Sequence, residues 1–264
     1  MIGFFLVGLP FLIVNSFSNR GPRPRRLGDD VGTFRLAHES GILAAPALLR
    51  VVSSFLLIVI AGLFAGDSVA GDSNWGNLRY LLLRPVGRVR LLVVKTFVAL
   101  LQTWVAVFLL TGAAGLAGVL KFGAHDIHVQ GIPAQFNAGV AIPTFDLTVA
   151  DQIWRVALSA GLVSFGFLAL LGLGVLFSTL AEAPTAAIGG AIGVYIVSQI
   201  IDGIDTFGKV RYGLPTHYSE AWRALLVEHQ FTKEMGLAVL VQVSWFTVAW
   251  AAAAVWFRRK DVQS

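Results

Sequence analysis

His125-Asp126-Ile127-His128 sets three potential metal ligands within four residues. A closed zinc site takes a fourth donor, and outer hydrogen-bond partners to orient the set. The sequence supplies no further close ligand there, so no metal site is expected. Two Gly-Asp pairs, Gly66-Asp67 and Gly71-Asp72, raise the chemistry of an intramembrane aspartyl protease. That motif carries a glycine two residues before each pair, where this chain has Phe64 and Val69, and both pairs fall at one helix end instead of on two facing spans. Gly208-Lys209-Val210 lacks the glycine spacing and the Ser/Thr of a phosphate-binding loop. Cysteine is absent, which excludes disulfides, thiolate metal sites and cysteine nucleophiles. No catalytic residue, metal ligand or bound cofactor is expected on this chain.

The residues with the clearest chemical pattern lie in the stretch 71–90, GDSNWGNLRYLLLRPVGRVR, a basic segment between two apolar runs. Asp72 or Ser73 can cap a helix start, since a side-chain oxygen there accepts from an otherwise unpaired backbone N–H. Trp75, Leu78 and Leu82 would share one helical face with Arg79 beside them, while Asn74, Asn77 and Arg84 turn away. Pro85 lacks an N–H and restricts Arg84, so the helix ends there, and Arg88 and Arg90 follow before the next apolar run. Such a helix would lie in the membrane interface with its arginines toward phosphates or a partner.

The elements around this segment follow from hydropathy. Of 264 residues, 56% are hydrophobic and only 13% charged, about half the charge of a soluble domain. A spanning helix needs about 20 mostly apolar residues. Six candidates appear, at about 2–17, 42–66, 91–120, 153–180, 184–201 and 235–257. The first is short: either it continues through Asn15–Phe17, or the true start lies upstream of Met1. Pro184 suits the first turn of the fifth helix. Gly112, Gly115 and Gly118, with the GxxxG pair Gly189 and Gly193, are expected to pack helices closely. The net charge of +5 is scattered over short loops, which argues against nucleic acid. Arg258-Arg259-Lys260 places the C-terminus in the cytoplasm, although Arg20, Arg23, Arg25, Arg26 and Arg35 would then face outside.

Few polar residues enter the spans. Arg50, about eight residues into the second, either snorkels to the interface or lines a polar substrate path, for which Gln102 and Gln199 are further candidates. Gln102, Gln199 and Gln242 also suit bonds across helices. Asp202 and Asp205 mark the exit of the fifth helix into water, and His217 suits a hydrogen-bonding role. Tyr218, Trp222 and Leu225–Leu226 suggest an amphipathic interfacial helix.

Gly66-Asp67, Gly71-Asp72, Gly76, Leu78-Arg79-Tyr80-Leu81-Leu82, Arg84-Pro85-Val86, Arg88 and Arg90-Leu91-Leu92, closing at Lys95, resemble the cytoplasmic segment of ABC-2 type permeases, the membrane subunits of ABC exporters. Asn77, Gly87 and Asp72 stand where that family more often has threonine, serine and glutamate. Leu214-Pro215-Thr216-His217-Tyr218 with Ala221-Trp222, and the ending Phe257-Arg258-Arg259-Lys260-Asp261, are similar to the same family.

The resemblance implies a single transmembrane domain over 1–264. Its expected fold is an all-α integral membrane protein: six transmembrane helices, the first short, with an interfacial coupling helix between the second and third. It implies docking of a separate ATP-binding subunit on 71–90 through Asp72, Trp75, Gly76, Leu78, Arg79, Tyr80, Arg84, Pro85 and Arg88. ATP and Mg would bind that partner, and a second permease subunit would complete a homodimer or heterodimer. The place would be the bacterial cytoplasmic (inner) membrane, and the cargo a lipophilic or amphipathic molecule. An ion-coupled secondary transporter is the alternative. It needs ionisable residues near the midplane and often related halves, whereas these spans contain almost no carboxylates and the halves show no similarity.

Overall fold

The computed structural model describes residues 2–16, 37, 40–74, 87–129, 145–226 and 232–259. The helices are α1 (Ile2–Ser16), α2 (Ala44–Ser53, entered through a 3₁₀ turn at Gly41–Leu43), α3 (Leu56–Asn74) and α4 (Arg88–Phe122). After them come α5 (Val149–Gly166), α6 (Leu168–Leu180), α7 (Pro184–Asp202) and α8 (Lys233–Arg259). Two short strands, β1 (Ile127–Val129) and β2 (Phe145–Leu147), pair antiparallel with His128 opposite Asp146. Among the described residues the protein is helical, with one small β-ladder where the sequence suggests only a polar loop.

Among the described residues, four helical stretches are long and apolar enough to cross a membrane: α4, α5 with α6, α7 and α8. A fifth results if α2 and α3 are one broken span. Helix α1, Ile2–Ser16, has 15 residues, fewer than the about 20 of a full span, so the described residues show four or five of the expected six.

Several expected boundaries move. The second span, expected at 42–66, is interrupted at Ser54–Phe55 and continues through Asn74. Polarity after Gly66 does not end α3, because its polar groups find partners: Ser68 Oγ donates to the Ala65 carbonyl at 2.6 Å, and Asp72 pairs with Lys95. Asp72 and Ser73 thus lie inside the end of α3. The helix opening at Arg88 takes in Arg88 and Arg90, which the sequence suggests precede it. The fourth span starts four residues early, at Val149, and is broken between Gly166 and Leu168.

The chain divides into two compact units. One is drawn from Met1–Ser53, Ala106–Gly161 and Arg223–Gln230. Its core holds Val14, Ala37, Ala44, Ala47 and Ala117, and α1 buries the stripe Leu6, Pro10 and Val14. Residues spaced four apart share a helix face. Lys121 Nζ donates to the Val14 and Asn15 carbonyls at 3.2 and 2.9 Å, so its charge caps the C-terminal end of α1. The backbones of Gly118 and Gly41 meet so closely that a Cβ on Gly118 would lie 2.0 Å from the Gly41 oxygen. Gly123, at φ +78°, ends α4 in the left-handed conformation glycine allows. Buried Gln152 accepts from Ser40 Oγ at 2.6 Å and donates to the His125 and Leu147 carbonyls at 2.9 and 3.1 Å. Arg155, also buried, donates to the Leu225 carbonyl at 2.9 Å.

The second unit is drawn from Ser54–Val105, Leu162–Trp222 and Phe231–Ser264. Helix α6 is apolar on all sides and correspondingly buried, with α3, α7 and α8 packed around it. Small residues set these approaches: a Cβ on Gly172 would lie 2.9 Å from Phe246 Cα of α8, and one on Gly174 2.4 Å from Ala65 Cβ of α3. Gly66 likewise lies against Ile188 of α7. Of the glycines the sequence singles out, Gly118 makes a close approach, whereas Gly112, Gly189 and Gly193 face open space. The expected amphipathic helix around Trp222 is instead a 3₁₀ turn, Ala221–Leu226, with Trp222, Leu225 and Leu226 buried. Outward apolar stripes, among them Phe97, Leu101 and Phe108 on α4 and Val194, Val197 and Ile200 on α7, suit contact with lipid.

Candidate functional site

The residues that frame 75–86 all belong to the second unit, and they are tied together. Lys95, two turns into α4, forms an ion pair with Asp72 and donates to the Ser68 carbonyl. Its four-carbon stem lets one ammonium reach both a carboxylate and a backbone oxygen. Both side chains are mostly buried, at 19% exposure for Lys95 and 29% for Asp72, so solvent weakens the pair less than a surface pair.

One turn from Asp72, the amides of Val69 and Ala70 both donate to Ser178 Oγ of α6, at 2.9 and 2.8 Å. A hydroxyl has two lone pairs and can accept twice. The end of α3 is thus fixed to α4 by charge and to α6 by a hydroxyl. At the start of α4, Arg88 donates to the Arg258 carbonyl at the end of α8 at 3.2 Å. Two turns on, Trp250 Nε1 of α8 donates to Thr96 Oγ1 at 3.1 Å, and Thr96 itself donates to the Leu92 carbonyl. The chain entering and leaving 75–86 is therefore bonded to α6 and α8 as well as joining α3 to α4.

Of the expected docking residues, Asp72 and Arg88 lie in this cluster, on the two helix ends. Trp75, Gly76, Leu78, Arg79, Tyr80, Arg84 and Pro85 lie outside the described residues. Sequence reasoning missed Ser178 and Thr96. Each is a small polar residue in an apolar run, and a buried hydroxyl must find a partner.

The candidate substrate-path residues are spread over three helices. Arg50 is half-buried in the last turn of α2, where a cation also complements the helix C-terminus. Gln102 is exposed on α4, and Gln199 is half-buried on α7. No hydrogen bond joins Gln102 to Gln199 among the described residues.

Two further polar groups sit away from this cluster. Asp126 accepts the Val149 amide at 2.8 Å and so caps α5, while His128 pairs with Asp146 across the β-ladder. Asp202 at the end of α7 binds His217 at 2.5 Å and lies 3.5 Å from Arg211, which also pairs with Asp205. Tyr212 and Tyr218 pack edge-on against the His217 ring. His217 thus makes the hydrogen bond its sequence context suggests.

A search of curated proteins finds no match. The family model described as ABC-2 family transporter protein matches residues 31–262, nearly the whole chain and all of the cluster just described. With its apolar helices and this match, the chain belongs to the ABC-2 family of membrane transport proteins.

Proposed function

We propose that the chain is the permease subunit of an ABC exporter, with an interfacial coupling helix between α3 and α4, within residues 71–90, on which a separate ATP-binding subunit docks. In this reading α1 and the broken α2–α3 pair complete six spans. The C-terminus and 71–90 face the cytoplasm of a bacterial cell, across its inner membrane. ATP and Mg bind the partner, which hydrolyses the nucleotide, while this chain is non-catalytic. Two permease chains, alike or different, enclose the route of a lipophilic or amphipathic cargo.

One observation carries the reading: the two helix ends bracketing 75–86 are bonded to α6 and α8 through Ser178, Arg88 and Thr96. A displacement applied to the bracketed segment would be passed on to four helices. Nucleotide binding on the partner can act only by favouring one of two conformations of this chain. Arg79, Arg84 and Arg88 suit the docking face, since guanidinium forks hold carboxylates bidentately. The reading is tested by purifying the chain with and without its cognate ATP-binding subunit. Vanadate-sensitive ATPase activity is expected only from the complex; ATP hydrolysis by the lone chain would overturn it.

A further inference from the structure

The fourth span carries an interruption that docking does not explain. Helices α5 and α6, of 18 and 13 residues, meet at Gly166–Phe167 near the middle of the stretch. Phe167 leaves the helical region with φ −95° and ψ 0°. No proline lies in this stretch to account for the interruption. In lipid every backbone N–H and C=O needs a partner inside the protein, so a broken span must be repaired by neighbours.

Two neighbours do so. Tyr195 Oη of α7 donates to the Gly166 carbonyl at 3.3 Å. Gln242 Oε1 of α8 accepts the Ala169 amide at 2.9 Å, in the first turn of α6, where helix N–H groups lack intrahelical acceptors. Gln242 Nε2 donates in turn to the Pro215 carbonyl at 2.6 Å, which ties the break to the chain between α7 and α8. Both side chains are nearly inaccessible, Tyr195 at 2% and Gln242 at 3% exposure. A cleft with about 20 Å³ of free space lies beside the break, lined by Phe165, Gly166, Trp222 and Gln242 among others. A Cβ added to Gly166 would meet nothing within 4 Å. The break is thus bonded at both lips but not tightly packed, unlike α6 at Gly172 and Gly174.

We propose that Gly166–Phe167 is a hinge in the fourth span, latched by the Tyr195 hydroxyl and the Gln242 amide. Backbone groups at a plain helix break would resist bending because lipid offers them no partner. Here the hydroxyl and the amide hold those groups, so bending at the break would be governed by side-chain bonds that can lengthen or re-form. The cleft gives a moving turn space, and Gln242 would make such bending sensitive to the position of Pro215. Tyr195 and Gln242 are positioning residues in this scheme.

The chain contains no cysteine, so a pair of introduced cysteines can carry spin labels without background. Ile153→Cys and Leu180→Cys place labels on exposed positions either side of the break, at 56% and 42% exposure. Distances are read by pulsed electron paramagnetic resonance on the full chain in lipid nanodiscs, with no ATP-binding partner present. Failure of the hinge is thereby separate from failure of the docking reading. Tyr195→Phe keeps the ring and so tests the latch without a cavity, and Gln242→Leu removes the other bond. Both are expected to broaden or shift the 153–180 distance distribution, and Gly166→Ala, which fits the open space and favours helix, to narrow it. Distributions in Tyr195→Phe and Gly166→Ala that overlay the parent would overturn the hinge and leave a fixed kink.

Discussion

Lys95 of α4 reaches back to Asp72 in the last turn of α3, and its ammonium also holds the Ser68 carbonyl. The two helices flanking residues 75–86 are thereby joined at their roots. Charge-assisted bonds of this kind contribute about 1.5–3 kcal/mol when partly shielded from water. Lys95→Met should cost about that much stability, because it removes the cation paired with the Asp72 carboxylate. The exchange Asp72→Lys with Lys95→Asp restores opposite charges and should recover a large part of the loss. Thermal unfolding of the detergent-solubilised single and double variants reads both. A double variant no more stable than the sum of the singles would show that the pair does not hold α3 to α4.

Ser178 Oγ accepts from two successive amides of α3, those of Val69 and Ala70. Replacing it by alanine removes the oxygen and leaves a small void in its place. Ser178→Ala should speed hydrogen exchange at both amides while the rest of α3 stays protected, with a stability loss of about 1–3 kcal/mol. Exchange at Val69 and Ala70 unchanged from the parent would mean that the hydroxyl is not what holds this turn.

The approach of α6 to α3 depends on the missing side chain at Gly174, whose added Cβ would fall 2.4 Å from Ala65 Cβ. Gly174→Ala should destabilise the chain by about 1–3 kcal/mol through overpacking, despite the higher helix propensity of alanine. Ala65→Gly in the same chain removes the opposing methyl and should restore most of that loss. Gly193→Ala, at an open position, should change the stability of the lone chain by less than about 0.5 kcal/mol. Urea or thermal unfolding of the four variants tests the contrast. Equal effects at Gly174 and Gly193 would contradict the packing described for α6.

The long apolar helices were legible in the sequence because hydropathy and their end signals agree. Pro184 opens α7 where its missing N–H costs nothing, and α8 closes on Arg258 and Arg259. The length of α3 was not legible, since Asp67, Ser68 and Asp72 read as loop until the bonds of Lys95 to Asp72 and to the Ser68 carbonyl are known. The break at Gly166 is only weakly announced, by Ser164 and Gly166 in a run with other glycines, and Tyr195 and Gln242 repair it from elsewhere in the fold. Glycine spacing likewise shows where close approach is allowed and leaves open where it occurs. Gly118 and Gly174 are used for packing while Gly189 and Gly193 are not. Of the segment 71–90, the charge pattern was visible from sequence, and the bonds at its two roots were not.

The central claim is that a separate ATP-binding subunit acts through the arginines of 71–90. Its most direct test is vanadate-sensitive ATPase activity of the complete complex in proteoliposomes, compared between the parent and Arg79→Glu/Arg84→Glu. Reversing two charges at a guanidinium–carboxylate docking face should lower the chain-dependent ATPase activity by about tenfold or more. Membrane insertion of the variant should match the parent. Activity in the variant equal to that of the parent would contradict the account.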